Sequence, residues 1–317
     1  MADAETGSRL RSRWRGTREV AAALTMTALV GAGCDMPVTT PSAPGHGPVE
    51  VVAAENFWGS IAAQVGGDRT QVTSVITNPA TDPHSYEPTA ADARAVASAA
   101  LVIENGVGYD PWMPRLLAAA SASAGVLDVG RVVAAAPGAN PHRWYDPNDV
   151  TEVVSAYVAD LSRLDPGDTA YFEARAAHFE GVDLAGYHAL IGRIRAAYAG
   201  TPVGASESIF SMLAPALGLN VITPYSFLRA VSEGAEVSAA DKSTIDGQIR
   251  QHRIRIYVYN SQNTTPDIRA QLSECRAAGI PTATITETMV PASGTYQQWQ
   301  TAQLQAILSA LEQAARR

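Results

Sequence analysis

Short apolar runs alternate with helical stretches along this chain, and the alternation occurs twice. Val49–Ala54, Val72–Ile76, Ala100–Glu104 and Val126–Val129 read as strands, separated by helix-like segments at Trp58–Val65, Ala90–Ala99 and Trp112–Ala124. The rhythm returns with Thr201–Ala205, Asn220–Thr223, Ile254–Tyr259 and Thr282–Thr286 as strands, and with Ile209–Leu217, Ala239–His252, Thr265–Ala278 and Tyr296–Ala314 as helices. A strand followed by a helix at this spacing crosses over and rejoins its sheet as a parallel neighbour. The expected fold class is therefore α/β: two α/β lobes with mainly parallel sheets. A length of 317 residues suits two domains of roughly 150 residues each.

Between the halves the pattern changes. Asp146 and Pro147 suit the cap and first position of a helix running to about Leu164. After Asp165-Pro166-Gly167, the stretch from Asp168 to Tyr198 lacks proline. It carries Phe172, Ala176, Phe179, Leu184, Tyr187, Leu190, Ile191 and Ile194 at near-helical spacing. Some thirty residues at 1.5 Å each span roughly 45 Å, the length of a stiff connector, although Gly181 and Gly186 weaken its continuity. The boundaries expected are a first lobe over 49–165, a long connecting helix over 166–199 and a second lobe over 200–317.

The N-terminus has a different character. Arg9, Arg11, Arg13, Arg15 and Arg18 precede the apolar stretch Val20–Ala32, whose thirteen residues are too few for a bilayer span of about 20. Gly31-Ala32-Gly33-Cys34 follows and resembles a bacterial lipoprotein signal, which implies cleavage after residue 33 and lipidation of Cys34. Residues 34–48, rich in Pro, Thr and Gly, read as a flexible tether. Loss of 1–33 removes five Arg and three acids and takes the net charge from −8 to about −10, which argues against nucleic-acid binding. The second cysteine, Cys275, lies in a helical pattern; with Cys34 acylated, no intramolecular disulfide is expected, and Cys275 reads as buried filler.

Two of the six histidines stand in matching frames. Asp82-Pro83-His84-Ser85-Tyr86-Glu87-Pro88 and Asn140-Pro141-His142-Arg143-Trp144-Tyr145-Asp146-Pro147 both place His after Asx-Pro and before an aromatic residue and an acid-Pro pair. Proline fixes φ and drives its predecessor extended, so each imidazole is held in one direction, on the loop edge where open α/β sheets bind ligands. Two imidazoles in such rigid frames point to metal. Glu87, Asp146 and Asp149 read as helix-start acids favoured by the dipole. His46, in the tether, and His178, His188 and His252, in helical patterns, read as surface or helix-face residues.

With these turns and the long connector, the chain from about Val49 to Leu311 resembles the metal-binding solute-binding lipoproteins of bacterial ABC importers, the zinc and manganese cluster of the TroA-like superfamily. The resemblance implies one metal held between the lobes by His84, His142, Glu207 (in Ser206-Glu207-Ser208-Ile209-Phe210) and Glu287 (in Ile285-Thr286-Glu287-Thr288). Glu287 stands where the family usually has Asp. Read from the residues alone, Glu207 could instead cap the following helix with Ser206, and Glu287 could be an exposed loop acid. The resemblance further implies a monomeric, non-enzymatic receptor on the outer face of the cell membrane, delivering its ion to a permease driven by an ATPase. Release would follow a modest shift of the second lobe.

Two nitrogens and two carboxylates suit Mn²⁺, Fe²⁺ or Zn²⁺, with no thiolate to favour a softer ion. Family zinc binders often carry a third His and a His-rich loop, whereas residues 85–139 contain no histidine, which tilts the expectation toward Mn²⁺. Two other classes compete. A secreted metallohydrolase would need an open coordination position and a general base, and neither HExxH nor GxSxG occurs. A binder of a small organic solute, or an adhesin, on the same scaffold would leave the paired turns unexplained.

Overall fold

The computed structural model describes residues 47–120 and 123–317; the signal segment, Cys34, His46 and most of the tether lie outside the described residues. The first lobe runs β1 (Val49–Glu55), α1 (Asn56–Gly66), β2 (Thr70–Ile76), α2 (Ala90–Ser98), β3 (Leu101–Glu104), α3 (Met113–Ala119), β4 (Gly125–Asp128), α4 (Val129–Val132) and α5 (Pro147–Leu164). After α6 (Thr169–His178) and α7 (Ala185–Tyr198) comes the second lobe. It comprises β5 (Pro202–Ala205), α8 (Ile209–Leu217), β6 (Asn220–Val221), α9 (Tyr225–Ser232), α10 (Ala239–Arg250), β7 (Tyr257–Asn260), α11 (Pro266–Ala278), β8 (Thr282–Ile285) and α12 (Tyr296–Ala315).

Both sheets have four strands, all parallel, in the orders β2-β1-β3-β4 and β6-β5-β7-β8. The two orders are the same order, and in each the direction of winding reverses between the first and third strands of the lobe. The crevice beyond the strand ends at that reversal is where open α/β sheets take ligands. Helices cover both faces, so every residue of β3 is buried, as the unbroken apolar run Leu101-Val102-Ile103 requires.

The sequence signals set the helix starts. Asp146 accepts from Asn148 N at the head of α5 with Pro147 in the first turn, and Asp149, also in that turn, pairs with Arg143 at 2.7 Å. Thr89 with Asp92, and Thr295 with Gln298, form capping boxes at α2 and α12. Some boundaries moved. Val129 opens α4 rather than ending a strand, α9 was not anticipated, and Ile254 and Ile256 are buried in a loop ahead of β7.

The connector is helical but is not one α-helix. Phe179–Asp183 form a π turn in which Leu184 N donates to Phe179 O at 2.9 Å, separating α6 from α7. The break falls at Gly181, where a residue without a side chain holds the α-helix least firmly. α6 packs on α1 and α5, α7 on α8 and α12, so the connector passes from one lobe to the other. A second link joins them. The start of α12 lies on α1, with Tyr296 N donating to Ser60 Oγ at 3.0 Å and the side-chain amides of Gln64 and Gln297 paired.

Aromatic rings fill this junction. Phe57 of α1 stacks on Trp144 at 4.0 Å and on Trp299 of α12 at 6.4 Å, and all three rings are buried. Cys275 is free and buried in the second lobe. Among the described residues no helix is long and apolar enough to cross a membrane. Truncating Phe57 to Ala should destabilise the protein by about 3–5 kcal/mol, read by guanidinium unfolding, because the emptied ring position cannot be refilled by rigid neighbours. A loss below about 1 kcal/mol would show that the stack is dispensable.

Candidate metal centre

Each Pro-His turn is an Asx turn. Asp82 Oδ1 accepts the backbone N–H of His84 at 2.9 Å, and Asn140 Oδ1 accepts that of His142 at 3.1 Å. The acceptor two residues ahead of each His, with the proline between, folds the backbone so that the imidazole projects into the space between the lobes. That space is a cleft of about 630 Å³ lined by residues of both lobes, including His84, His142, Asn140, Gln262 and Glu287. His178, His188 and His252 do not line it.

The two imidazoles converge on one oxygen. His142 Nε2 lies 3.6 Å and His84 Nε2 3.8 Å from Glu287 Oε1. Donors bound tetrahedrally at about 2.1 Å stand about 3.4 Å from one another, so this spacing is close to that of ligands around a shared ion. The tautomer of His142 suits such a role. Its Nδ1 lies 2.7 Å from Asn140 Oδ1, which can only accept, so Nδ1 carries the proton and Nε2 presents its lone pair. That Nε2 is buried without a hydrogen-bond partner, and burial holds the ring's pKa below the ordinary histidine value. His142 is thus a neutral imidazole whose Nε2 lone pair has no hydrogen-bond partner.

Glu207 lies between β5 and α8, at the winding reversal of the second sheet, and is 2% exposed. It does not cap α8, and neither does Ser206, whose Oγ accepts from Asn260 N at 3.0 Å. Asn260, at the end of the neighbouring strand, donates Nδ2 to Glu207 Oε2 at 3.1 Å, while Oε1 has no partner. Burial first, then the charge of Glu287, pushes the Glu207 carboxyl up to about 8. Glu287, two residues past β8, is set by its backbone: Glu287 N donates to Gln262 Oε1 at 2.7 Å. Next to it, Thr286 is held by Gln303 and by Tyr145 of the His142 turn.

His84, His142 and Glu287 are therefore brought together in the cleft lining, whereas Glu207 is buried outside that lining and is linked to them through the charge of Glu287. Among the described residues no group of three or more His, Cys, Asp or Glu is drawn tightly enough to hold a metal as it stands. Sequence reasoning missed the groups that place these four. Asn140 and Asp82 were visible as the Asx of each motif, but they were read only as neighbours of proline. Asn260 and Gln262 carry no motif. Tyr109 was also missed: Gly106, Val107 and Gly108 all have positive φ (67°, 55° and 78°), a strained path that sets the Tyr109 ring edge-on to His84 at 4.9 Å.

Residues 51–310 match the family described as zinc-uptake complex component A, periplasmic. The chain is 31% identical over 154 residues to the manganese-binding lipoprotein MntA of Halalkalibacterium halodurans, a match covering 47% of this chain and 50% of that protein. It is 27% identical over 134 residues to the iron-binding protein YfeA of Yersinia pestis, covering 40% and 43%. The matches thus span about half the length of either relative or less. Among solved structures, the Ni²⁺ complex of the solute-binding protein FpvC from P. aeruginosa superposes with a TM-score of 0.70 at 20% identity, over 84% of this chain and 98% of that one. A Cd-bound periplasmic metal-binding protein from Candidatus Liberibacter asiaticus gives 0.69 at 20% identity, over 82% and 98%. These likenesses establish the fold, and the match across both lobes establishes that the chain belongs to the periplasmic component A family of zinc-uptake complexes.

Proposed function

We propose that this protein is an extracytoplasmic solute-binding protein that captures one divalent transition metal, Mn²⁺ or Zn²⁺ with Fe²⁺ also suited, between its lobes, and delivers it to an ABC permease and its ATPase. The observation that carries the reading is the convergence of His84 Nε2 and His142 Nε2 on Glu287 Oε1 in the inter-lobe cleft. Glu207 is the fourth proposed ligand, its partnerless Oε1 supplying the second carboxylate. Two imidazoles and two acids neutralise a divalent charge and suit Mn²⁺, Fe²⁺ and Zn²⁺ alike. Four protein ligands, with one or both acids bidentate, would close the coordination sphere to an activated water, which suits binding rather than catalysis. We also propose the division into lobes 49–165 and 200–317 around the connector 166–199, and anchoring at the outer face of the membrane through lipidated Cys34.

The mechanism follows from the charge states. In the metal-free protein Glu207 keeps its proton near neutral pH, and His142 is already neutral. An arriving cation takes the His142 lone pair, is drawn to Glu287 and displaces the Glu207 proton. Affinity should therefore fall as the pH drops.

Stripped protein should bind one equivalent of Mn²⁺, Fe²⁺ or Zn²⁺ and rise in melting temperature with ion concentration as RT ln(1 + [L]/Kd). His84→Ala and His142→Ala should each abolish tight binding in titration calorimetry while leaving the fold intact, and Glu287→Ala should weaken it at least about tenfold. No stoichiometric binding with any ion would overturn the metal reading and turn attention to an organic solute in the cleft.

Stability offers a metal-free check. The folded-state value of Glu207, about 8, lies above its ordinary 4.5, so the folded state keeps a proton that the unfolded chain releases. Its contribution is complete below about pH 4.5 and is lost as the pH rises toward 8. Thermal melts of the metal-free protein should fall across that window, and less steeply in Glu207→Gln. Identical slopes would mean that the buried carboxyl is not held protonated.

A further inference from the structure

The two sides of the cleft are fastened very differently. On the His142 side, the turn is tied to the second lobe at several points. Asn140 Nδ2 donates to Ser208 O at 2.6 Å, Tyr145 Oη lies 2.6 Å from Thr286 O, and Tyr296 Oη donates to Trp144 O at 2.6 Å. On the His84 side, among the described residues, the hydrogen bonds from the segment 77–85 to the second lobe converge on one carbonyl, that of Pro79. Gln262 Nε2 donates to it at 3.0 Å, and Thr288 Oγ1 reaches it at 3.5 Å. Pro79 is itself held in a tight turn, with Ala80 N donating to Asn78 Oδ1 and Thr81 N to Asn78 O, both at 3.0 Å.

Gln262 uses both ends of its amide. Oε1 accepts from Glu287 N at 2.7 Å and Thr288 N at 3.0 Å, while Nε2 donates to Pro79 O at 3.0 Å and to Thr288 Oγ1 at 2.8 Å. Its backbone N donates to Asn260 Oδ1 at 2.9 Å, and Asn260 Nδ2 holds Glu207. One amide chain thus runs from Glu207 through Asn260 and Gln262 to the backbone of Glu287, and across the cleft to the loop that carries His84.

We propose that Gln262 is the latch of the cleft, a positioning residue that sets how far the His84 loop stands from Glu287 and so how long a captured ion is retained. The inference rests on the metal-binding reading above. Because the His142 side is bolted and the His84 side is not, opening proceeds on the His84 side, and the bonds of Gln262 break when it does. The role needs an amide. A carboxylate would still accept from Glu287 N and Thr288 N but would face Pro79 O with a second acceptor, and a thioether would serve neither end. Gln262 stands at the exposed rim, so neither change empties a core.

The test compares wild type with Gln262→Met and Gln262→Glu. Ion release into excess chelator is followed by stopped flow with whichever of Mn²⁺, Fe²⁺ or Zn²⁺ the wild type binds. Hydrogen exchange of segments 77–85 and 286–288 is followed in the metal-free protein. Gln262→Met should speed release about tenfold and raise exchange in both segments, with the metal-free melting temperature moving by no more than about 2 °C. Gln262→Glu should keep the protection of 286–288, lose that of 77–85 and also release faster. Wild-type release from Gln262→Met would overturn the latch while leaving the metal reading intact. A wild type that binds no ion would overturn the metal reading, and unchanged exchange over 77–85 in Gln262→Met would overturn the latch independently of any metal.

Discussion

Phe57, Trp144 and Trp299 come from a helix of the first lobe, a Pro-His turn and the last helix, and they share one buried stack. Rings of this size contribute large apolar areas and tolerate little displacement, so the stack fixes the first lobe, the His142 turn and α12 as one unit. Tyr145, next in the turn, extends the same unit to Thr286 and Gln303, and Thr286 immediately precedes Glu287. A side chain from each lobe thus enters the cleft from a common support. Their separation of 3.6 Å is a property of the junction rather than of either loop.

Electrostatics explains why the cleft is prepared but not tightly assembled. Burial first, and then the charge of Glu287, raises the cost of ionising Glu207, so without a cation its carboxyl stays neutral. Behind the site, Glu55 is fully buried with both oxygens unpartnered, and its pKa is raised by burial, then by Asp110, Glu104 and Glu287. The surroundings thus disfavour further negative charge and reward an added positive one. Under the proposed reading a divalent ion supplies that charge, and the His84 side, the less firmly tied of the two, is where the cleft adjusts to it.

The paired Asx-Pro-His motifs were legible because proline and an Asx acceptor act within five residues, and the same local rule produced the same turn twice. The helix starts were legible for the same reason. The connector was legible in part: its apolar stripe continues past Gly181, while Gly181 itself marked where the α-helix gives way to the π turn. α9 was missed although Phe227, Leu228 and Val231 form a one-sided apolar stripe, because eight residues are too short a stretch for helical spacing to stand out. The acids were found through a resemblance, while the amides that hold them went unseen, since Asn260 and Gln262 act only across strands and lobes.

The sequence by itself determined two α/β lobes, the direction of both imidazoles and the kinds of donor available, because periodicity, proline and side-chain chemistry act over a few residues. Only the tertiary structure decided that both lobes wind alike, that α12 returns to α1, and that one amide at position 262 spans the cleft on the side of His84. Those outcomes depend on which distant surfaces meet, and hydrogen bonds linking residues nearly two hundred positions apart leave no trace in local spacing.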